Sequence, residues 1–372
     1  MSFSFGFTGN DLEDDELDGS NSVTNIVTDA TIVNPLDEPR LLADETFQPT
    51  LENLQLILES LSGVRLTFEE FQTPLTNTTL YRRELFDIKH QLMSEDLEND
   101  SATDKTELEI LIGGTSEDVR KNVYEGGLKS WECSIDLVDA LVDLKARYCT
   151  LSNYDTILEL GCGTSLPTEY IFKNHLQENE DKGLNLILSD YNKSVLRLVT
   201  VPNLIITWAK TVLDTVQWND LQTKSSPDMP VRDDELMLTP ELLTLFLSDL
   251  KNRNITVNII SGTWSRRFDE LTKSVISPNA KNIMMLTSET IYQPENLTIV
   301  AETIIDLKTY YQQNAINLTC LLAAKDIYFG VGGSIVEFEN YLTKQIELQN
   351  LNIVHKTFKI DAGLKRSIMH IE

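Results

Sequence analysis

From about residue 120 onward, short apolar runs alternate with helical stretches. This alternation predicts a parallel sheet covered by helices on both faces, because each strand-helix-strand unit returns the chain to the same edge. Only Asp361-Ala-Gly363 joins the last two runs, so we expect them to pair as an antiparallel hairpin at one end of the sheet. The predicted fold is α/β and Rossmann-like, with seven strands at 155–160, 184–189, 255–261, 282–288, 316–324, 351–360 and 364–371.

The first of these strands runs into a glycine-rich turn, Glu159-Leu-Gly-Cys-Gly163. Glycine at both positions lets the backbone turn sharply and lets a ligand approach without interference from a Cβ atom. Asp190 ends the next strand, where a carboxylate can accept hydrogen bonds from ribose hydroxyls. Nicotinamide-binding folds share these features. The spacing GxGxx, with Glu159 ahead of the first glycine, is instead typical of sites for S-adenosylmethionine, which has no pyrophosphate to bind.

The residues ahead of this alternation are strongly acidic. Residues 1–70 contain 15 Asp and Glu against only Arg40 and Arg65. We predict a disordered acidic arm over 1–50, because it has too little apolar surface to order itself. Phe3, Phe5 and Phe7 within it form an added strand or a short docking motif, or are incidental. We predict an accessory helical segment and linker over 51–119, with a helix over 80–92. The rest of the chain, 120–372, is predicted to be one domain. It contains a helix at 193–201 that ends at Pro202 and a polar insertion at 224–236.

The whole chain carries 31 Lys and Arg against 58 Asp and Glu, a net charge of −27. Such a field repels nucleic-acid backbones and anionic membranes, and it attracts a basic protein. No apolar run reaches the roughly 20 residues that cross a bilayer. We do not expect Met1–Phe7 to be a signal peptide, because it lacks a basic region and a continuous apolar region. Four cysteines without a CxxC pair fit the cytosol or nucleus, and four scattered histidines make a metal site unexpected.

The part of the chain over 120–372 contains six ordered motifs: Val123–Cys133, Asp190–Asn192, Val201–Asn203, Gly262–Trp264, Thr287–Tyr292 and Lys325–Gly333. These motifs resemble those of the histidine protein methyltransferase family. Members of that family are seven-strand enzymes that use S-adenosyl-L-methionine to modify a histidine of a large-subunit ribosomal protein. One departure is Ser165, where the usual loop has a third glycine. The resemblance implies methylation of the tele nitrogen, S-adenosyl-L-methionine as cofactor and a basic ribosomal protein as partner. We expect a monomer with no direct nucleic-acid or membrane partner.

These motifs supply the candidate site residues. The predicted cofactor-binding residues are Trp131, Glu132, Cys133, Glu159, Gly161, Gly163, Asp190, Asn192, Gly262, Thr263, Trp264 and Ser288. Trp131 would form a wall at the methionine end of the cofactor, and Trp264 would flank its adenine. The alternative for each tryptophan is that it only packs in the core. The loop Lys325–Gly333 is either a lip over the substrate or a flexible connection.

Glu289 and Tyr292 are the candidate catalytic residues. Neutral imidazole has a reactive lone pair near neutral pH, so the enzyme needs no strong base. It must instead choose one ring nitrogen, and an acceptor for the opposite N–H would fix the tautomer. A backbone carbonyl would serve equally well.

Two other functions fit the same sequence. A lysine methyltransferase of the same fold would need an acidic or aromatic channel for an amine that loses its proton. A protein that only escorts a basic ribosomal protein would use the acidic surface without methyl transfer. Mapping of the methylated residue identifies the first, and absence of S-adenosylmethionine binding favours the second.

Overall fold

The computed structural model describes residues 33–43, 45–96, 126–148, 151–178, 182–225, 230–328, 330, 332–360 and 365–372. Residues 34–372 form one compact unit around a mixed central sheet. In spatial order its strands are β1 (Thr50–Glu52), β7 (Ile255–Ser261), β5 (Leu184–Asp190), β4 (Thr156–Leu160), β8 (Asn282–Ser288), β9 (Asn317–Lys325), β11 (Arg366–Ile371) and β10 (His355–Ile360).

Five strands of this sheet, β4, β5, β7, β8 and β9, run parallel. Strand β11 is antiparallel to β9 and to β10, so the described residues contain the predicted C-terminal hairpin. The sheet has one strand more than predicted, because β1 pairs antiparallel with β7 at the opposite edge. Alternate residues face opposite sides, so Ile157 packs into one apolar core and its neighbour Leu158 into the other.

Helices cover both faces of the sheet. In chain order they are α1 (Pro39–Leu42), α2 (Leu54–Ser60), α3 (Leu85–Asp96), α4 (Glu132–Tyr148), α5 (Leu166–Glu178), α6 (Lys193–Val195), α7 (Val201–Val212), α8 (Thr215–Ser225), α9 (Pro240–Asn252), α10 (Arg266–Val275), α11 (Pro294–Gln313) and α12 (Ile335–Gln349). The largest buried side chains under them include Trp208 on one face and Phe268 on the other.

The segment predicted to be helical over 51–119 contains α2 and α3 among its described residues, but it also contributes two strands to a second, antiparallel sheet. Its strands are, in spatial order, β3 (Thr79–Arg83), β2 (Arg65–Gln72) and β6 (Glu235–Met237). The helix predicted from residue 80 begins only at Leu85, and the predicted insertion contributes residues to β6. Because Arg65 pairs with Met237, far along the chain, no local pattern could reveal this sheet. Residues 97–125 lie outside the described part of the chain.

The helix predicted to end at Pro202 continues to Val212 through a π-helical turn, Leu196–Thr200. Proline has no N–H to donate to the carbonyl four residues earlier, which is that of Leu198. That carbonyl instead accepts a hydrogen bond from Nη1 of the buried Arg83, at 2.8 Å. In the described residues Lys193–Val212 is the one helix long and apolar enough to span a membrane, yet 78% of its most apolar window is buried inside the protein.

The predicted disorder over 1–50 is wrong for most of residues 34–50. Leu36 is fully buried and packs with Leu41 and Ile299, beside Trp264. A short arm of this kind becomes ordered when an apolar surface elsewhere in the fold receives its few apolar side chains. Phe3, Phe5 and Phe7 lie outside the described residues.

Candidate active site

A cavity of about 1240 Å³ lies where β4, β5, β7 and β8 end. Open α/β sheets bind ligands at this edge, where the strand order reverses on either side of the first strand. Ten predicted site residues line it: Trp131, Gly161, Gly163, Asp190, Gly262, Thr263, Trp264, Ser288, Glu289 and Tyr292. Four predicted residues do not line it: Glu132, Cys133, Glu159 and Asn192.

The turn after β4 needs both of its glycines. Gly161 and Gly163 have φ angles of 61° and 48°, in the left-handed region that side chains disfavour. A Cβ on Gly161 would lie 2.5 Å from Cγ2 of Thr290, and one on Gly163 would lie 3.1 Å from the backbone of Gly127. The loop is therefore a cradle that a larger residue would fill.

Two buried polar residues on the long helix hold this loop. Oγ1 of Thr200 donates a hydrogen bond to the carbonyl of Gly163 at 2.6 Å. Nδ2 of Asn203 donates to the carbonyl of Thr164 at 2.8 Å, and both side chains are fully buried. The Val-Pro-Asn motif thus has a role that its sequence did not indicate: it fixes the backbone of the glycine turn.

Glu159 has a structural role instead of the predicted cofactor contact. It is buried, and its Oε2 accepts hydrogen bonds from the N–H and Oγ1 of Thr168 and from Oγ of Ser165. Burial raises the pKa of this carboxyl to about 7, although the bonds from Thr168 favour the ionised form. Glu159 therefore ties the first turn of α5 to β4. Ser165 adopts a φ of 58°, so the loop takes its left-handed turn without a third glycine.

Asp190 is 6% exposed and lies in the cavity wall. Its Oδ2 accepts a hydrogen bond from the N–H of Gly163 at 3.0 Å, and its Oδ1 accepts one from the N–H of Asn192 at 3.2 Å. This carboxylate joins the glycine turn to the end of β5. Asn192 is buried at the start of α6, behind the wall, which corrects its predicted contact with a cofactor.

Trp264 covers the glycine turn from the side of β7. Its Nε1 donates a hydrogen bond to Oγ of Ser189 at 3.1 Å, and a Cβ on Gly161 would lie 3.3 Å from its ring. The indole is also in contact with Leu41 and Ile299. Trp264 is thus both a wall of the cavity and packed against an apolar cluster, and its contact with adenine stays a prediction.

Trp131, Glu132 and Cys133 lie at the start of α4, and only Trp131 lines the cavity. Nζ of Lys325 lies 5.2 Å from the centre of the Trp131 ring and 3.3 Å from the Glu132 carboxylate. The Glu132 side chain is half exposed. Burial, followed by the nearby Glu289 carboxylate, raises the pKa of the Cys133 thiol well above its usual range, so the thiol stays protonated.

Glu289 follows β8 with a φ of 58° and projects into the cavity wall with 8% of its side chain exposed. Its Oε1 makes no hydrogen bond with any described residue, and the nearest cation is Nζ of Lys325 at 3.8 Å. Burial and the Glu289 charge raise the pKa of the Tyr328 phenol, which therefore remains a hydrogen-bond donor. The site holds a buried acceptor oxygen beside two neutral donors.

Tyr292 lies at the same end of the cavity as Tyr328. Their ring centres are 6.4 Å apart, with an angle of 64° between the planes. The N–H of Gly333 donates to the carbonyl of Tyr292 at 3.0 Å, and a Cβ on Gly333 would lie 2.1 Å from the carbonyl oxygen of Ile291. The described part of the Lys325–Gly333 loop is therefore fastened against the segment that carries Glu289.

Sequence reasoning missed several residues of this cavity. Lys325 and Tyr328 lie in a motif that was recognised, but only their contact with Glu289 gives them a role. Arg40, Leu41 and Phe47 line the cavity from the region predicted to be disordered, and no local pattern pointed to them.

Comparison with known proteins gives the chain clear relatives. It is 52% identical to histidine protein methyltransferase 1 of Saccharomyces cerevisiae, over the whole of this chain and 98% of the relative. It is 34% identical to histidine protein methyltransferase 1 of Schizosaccharomyces pombe, over 79% of this chain and 77% of that one. A homologue in Bos taurus is 30% identical over 68% of this chain and 57% of its own length.

No protein-family model matches the chain. Among solved structures, the N-terminal domain of human METTL16 in complex with SAH has a TM-score of 0.35 and 9% identity, over 94% of this chain and 97% of that one. The rRNA methyltransferase aviRa of Streptomyces viridochromogenes has a TM-score of 0.34 and 11% identity, over 66% of this chain and 88% of that one. Likeness at this level carries no argument about the site.

Proposed function

The chain belongs to the histidine protein methyltransferase family, and from that premise we propose that it transfers a methyl group from S-adenosyl-L-methionine to a histidine imidazole of a substrate protein. The observation that carries this proposal is the buried Oε1 of Glu289, which has no hydrogen-bond partner among the described residues and lies in the cavity that contains the glycine turn. A buried carboxylate oxygen without a hydrogen bond destabilises the folded protein unless a bound ligand donates that hydrogen bond.

The residues present fit the proposed cofactor. Gly161 and Gly163 form a cradle that a Cβ would fill, as expected where a ligand approaches the backbone closely. Asp190 presents a carboxylate for the ribose hydroxyls, and Trp264 presents an aromatic surface for adenine. When bound, S-adenosyl-L-methionine supplies an electrophilic methyl group on a positively charged sulfonium.

Glu289 would choose the nitrogen that reacts. A neutral imidazole that donates Nδ1–H to Oε1 of Glu289 has its lone pair on Nε2, the tele nitrogen, which is then the nucleophile. Lys325 is the cation nearest to two carboxylates, those of Glu132 and Glu289. The three side chains together therefore carry a net charge of −1. This charge stabilises the imidazolium that forms as the nitrogen accepts the methyl group.

Cys133 and Tyr328 hold the Glu289 carboxylate in place, and neither of them accepts the proton of the imidazole N–H. Both groups lie beside the Glu289 carboxylate, and both stay protonated because burial raises their pKa values. They therefore donate hydrogen bonds to the carboxylate, and the imidazole N–H donates the hydrogen bond that the carboxylate still lacks. Alignment of the ring in this way removes part of the entropic barrier to displacement.

The charge of −27 supports a basic protein as substrate, and we propose a large-subunit ribosomal protein, modified in the cytosol or nucleus by a monomeric enzyme. The test is transfer of labelled methyl groups from S-adenosyl-L-methionine into ribosomal proteins from cells that lack the enzyme. Amino-acid analysis should then give tele-methylhistidine. Label in pros-methylhistidine would contradict the role of Glu289, and label in methyllysine or no label would contradict the proposed reaction.

A further inference from the structure

The N-terminal segment, residues 34–43 and 45–52, is anchored at both of its ends, to α10 at its start and to β7 at its end. At its start, Asp37 forms an ion pair with Arg266 at 3.0 Å. At its end, β1 pairs with β7, and Oε1 of Glu52 accepts a hydrogen bond from Oγ of Ser261 at 2.7 Å. A chain fixed at two points has fewer conformations left to lose when its middle becomes ordered.

The middle of the segment forms part of the cavity wall. Glu38, Arg40, Leu41 and Phe47 all line the cavity. The ring of Phe47 stacks on that of Tyr191, with 4.7 Å between ring centres and 17° between planes. Tyr191 directly follows Asp190, and this aromatic pair lines the same cavity as the carboxylate proposed to bind ribose.

The Gly-Thr-Trp turn after β7 is shaped to receive this segment. Gly262 has a φ of 100°, and a Cβ there would lie 2.7 Å from the carbonyl oxygens of both Phe47 and Gln48. The N–H of Thr263 donates a hydrogen bond to the carbonyl of Phe47 at 2.9 Å. The backbone of the N-terminal segment therefore requires glycine at 262, in addition to the predicted cofactor contact of this residue, which lines the cavity.

We infer that the N-terminal segment is a binding element of the active site, and that Phe47, held on Tyr191, forms part of the surface that binds the adenine nucleoside. Two parallel aromatic rings beside a carboxylate match the chemistry of a purine riboside, with a π face and two hydroxyls. Arg40 adds a further contact, because its Nη2 donates a hydrogen bond to the carbonyl of Glu295, which also lines the cavity. This inference rests on the proposed use of S-adenosyl-L-methionine.

The test measures binding of S-adenosylhomocysteine to the full-length protein by calorimetry, without turnover. Phe47→Ala should weaken binding about 10-fold or more, equal to about 1.4 kcal/mol. Phe86→Ala is the matched control, because Phe86 is 76% exposed on α3 and does not line the cavity. Its affinity should equal that of the wild type.

A second variant, Gly262→Ala, acts on the same segment without removing any side chain from it. Its Cβ would meet two carbonyl oxygens, so we expect displacement of the segment and a similar loss of affinity. The bound ligand should also protect the bond after Arg40 from trypsin in the wild type and less so in Phe47→Ala.

The outcomes separate this inference from the proposed function. Wild-type protein that fails to bind S-adenosylhomocysteine contradicts the proposed cofactor, and the inference falls with it. If the wild type binds and both variants bind within twofold of it, the cofactor stands and the role of the N-terminal segment is wrong.

Discussion

At the scale of single residues, the positive φ of Glu289 is the feature most directly tied to chemistry. A residue other than glycine in the left-handed region costs roughly 1–2 kcal/mol, and the fold accepts this cost at the end of β8. The N–H of Glu289 donates to the carbonyl of Ala323 on β9 at 3.0 Å, which holds the strained residue in place. The strain thus aims the carboxylate at the cavity.

Glu289→Gln should separate turnover from cofactor binding. The amide removes the negative charge near the forming imidazolium and disfavours the reactive tautomer, so kcat should fall about 10-fold to 100-fold, the range for a hydrogen bond to a charged group. The affinity for S-adenosylhomocysteine should change little. Single-turnover rates at saturating cofactor and calorimetry measure the two quantities.

Asp190→Ala provides the reciprocal case. Asp190 lies at the end of β5 and bonds to the glycine turn, so its loss should mainly weaken cofactor binding.

Normal turnover by Glu289→Gln, or failure of that variant through loss of cofactor, would show that Glu289 does not orient the imidazole. Tyr292 would then be the next candidate.

At the scale of elements, one buried carboxyl joins the second sheet to the main domain. Oε1 of Glu169, on α5, accepts a hydrogen bond from the N–H of Tyr81 on β3 at 2.8 Å. Its Oε2 has no hydrogen-bond partner among the described residues. Burial raises the pKa of Glu169 from its usual value of 4.5 to about 8.

This shift predicts how stability depends on pH. Between pH 4.5 and about 8 the unfolded chain releases the Glu169 proton while the folded protein keeps it, so the free energy of unfolding falls by up to about 1.4 kcal/mol per pH unit. Below that window both states are protonated and the effect is absent. Glu169→Gln cannot release a proton, and its stability advantage over the wild type should therefore grow as pH rises from about 5 to about 8.

Urea unfolding of both proteins across this pH range is the measurement. Glu159 and Asp269, whose pKa values burial raises to about 7 and about 9, lower the stability of both proteins alike. The difference between the two curves therefore isolates Glu169. A constant difference across the range would mean that Glu169 is ionised in the folded protein.

At the scale of the whole molecule, charge is the dominant property, and nearly half of the excess lies in residues 1–70, with 2 − 15 = −13 of the net −27. If this field steers a basic substrate, raising salt from about 20 mM to about 300 mM should slow association far more than dissociation. Stopped-flow or surface-binding kinetics with the substrate protein measure both rates.

The acidic run Asp11–Asp18 is a better target for this test than the whole of residues 1–50, because Glu38, Arg40, Leu41 and Phe47 line the cavity. Replacing its acids with their amides should reduce the salt dependence of association and leave cofactor affinity unchanged. Association rates that do not respond to salt in either protein would rule out steering.

The sequence by itself determined the order of the seven strands that the main sheet has after residue 150, the glycine turn, Asp190 and the C-terminal hairpin. These features are local: an apolar run followed by Gly161 and Gly163, or two runs joined by a short turn, has few other ways to fold. Most of the residues that line the cavity follow strands, so the sheet edge could be predicted once the strands were known.

Only the tertiary structure decided which side chains meet there. Cys133, Glu289 and Tyr328 come from three distant parts of the chain, and the raised pKa values of Cys133 and Tyr328 depend on burial that no local pattern encodes. Glu159 lies in the right motif, yet it turns toward α5 because Thr168 offers its hydrogen bonds. The N-terminal segment looked too polar to order itself. It is ordered because Gly262 and β7 provide a surface that its own sequence could not reveal.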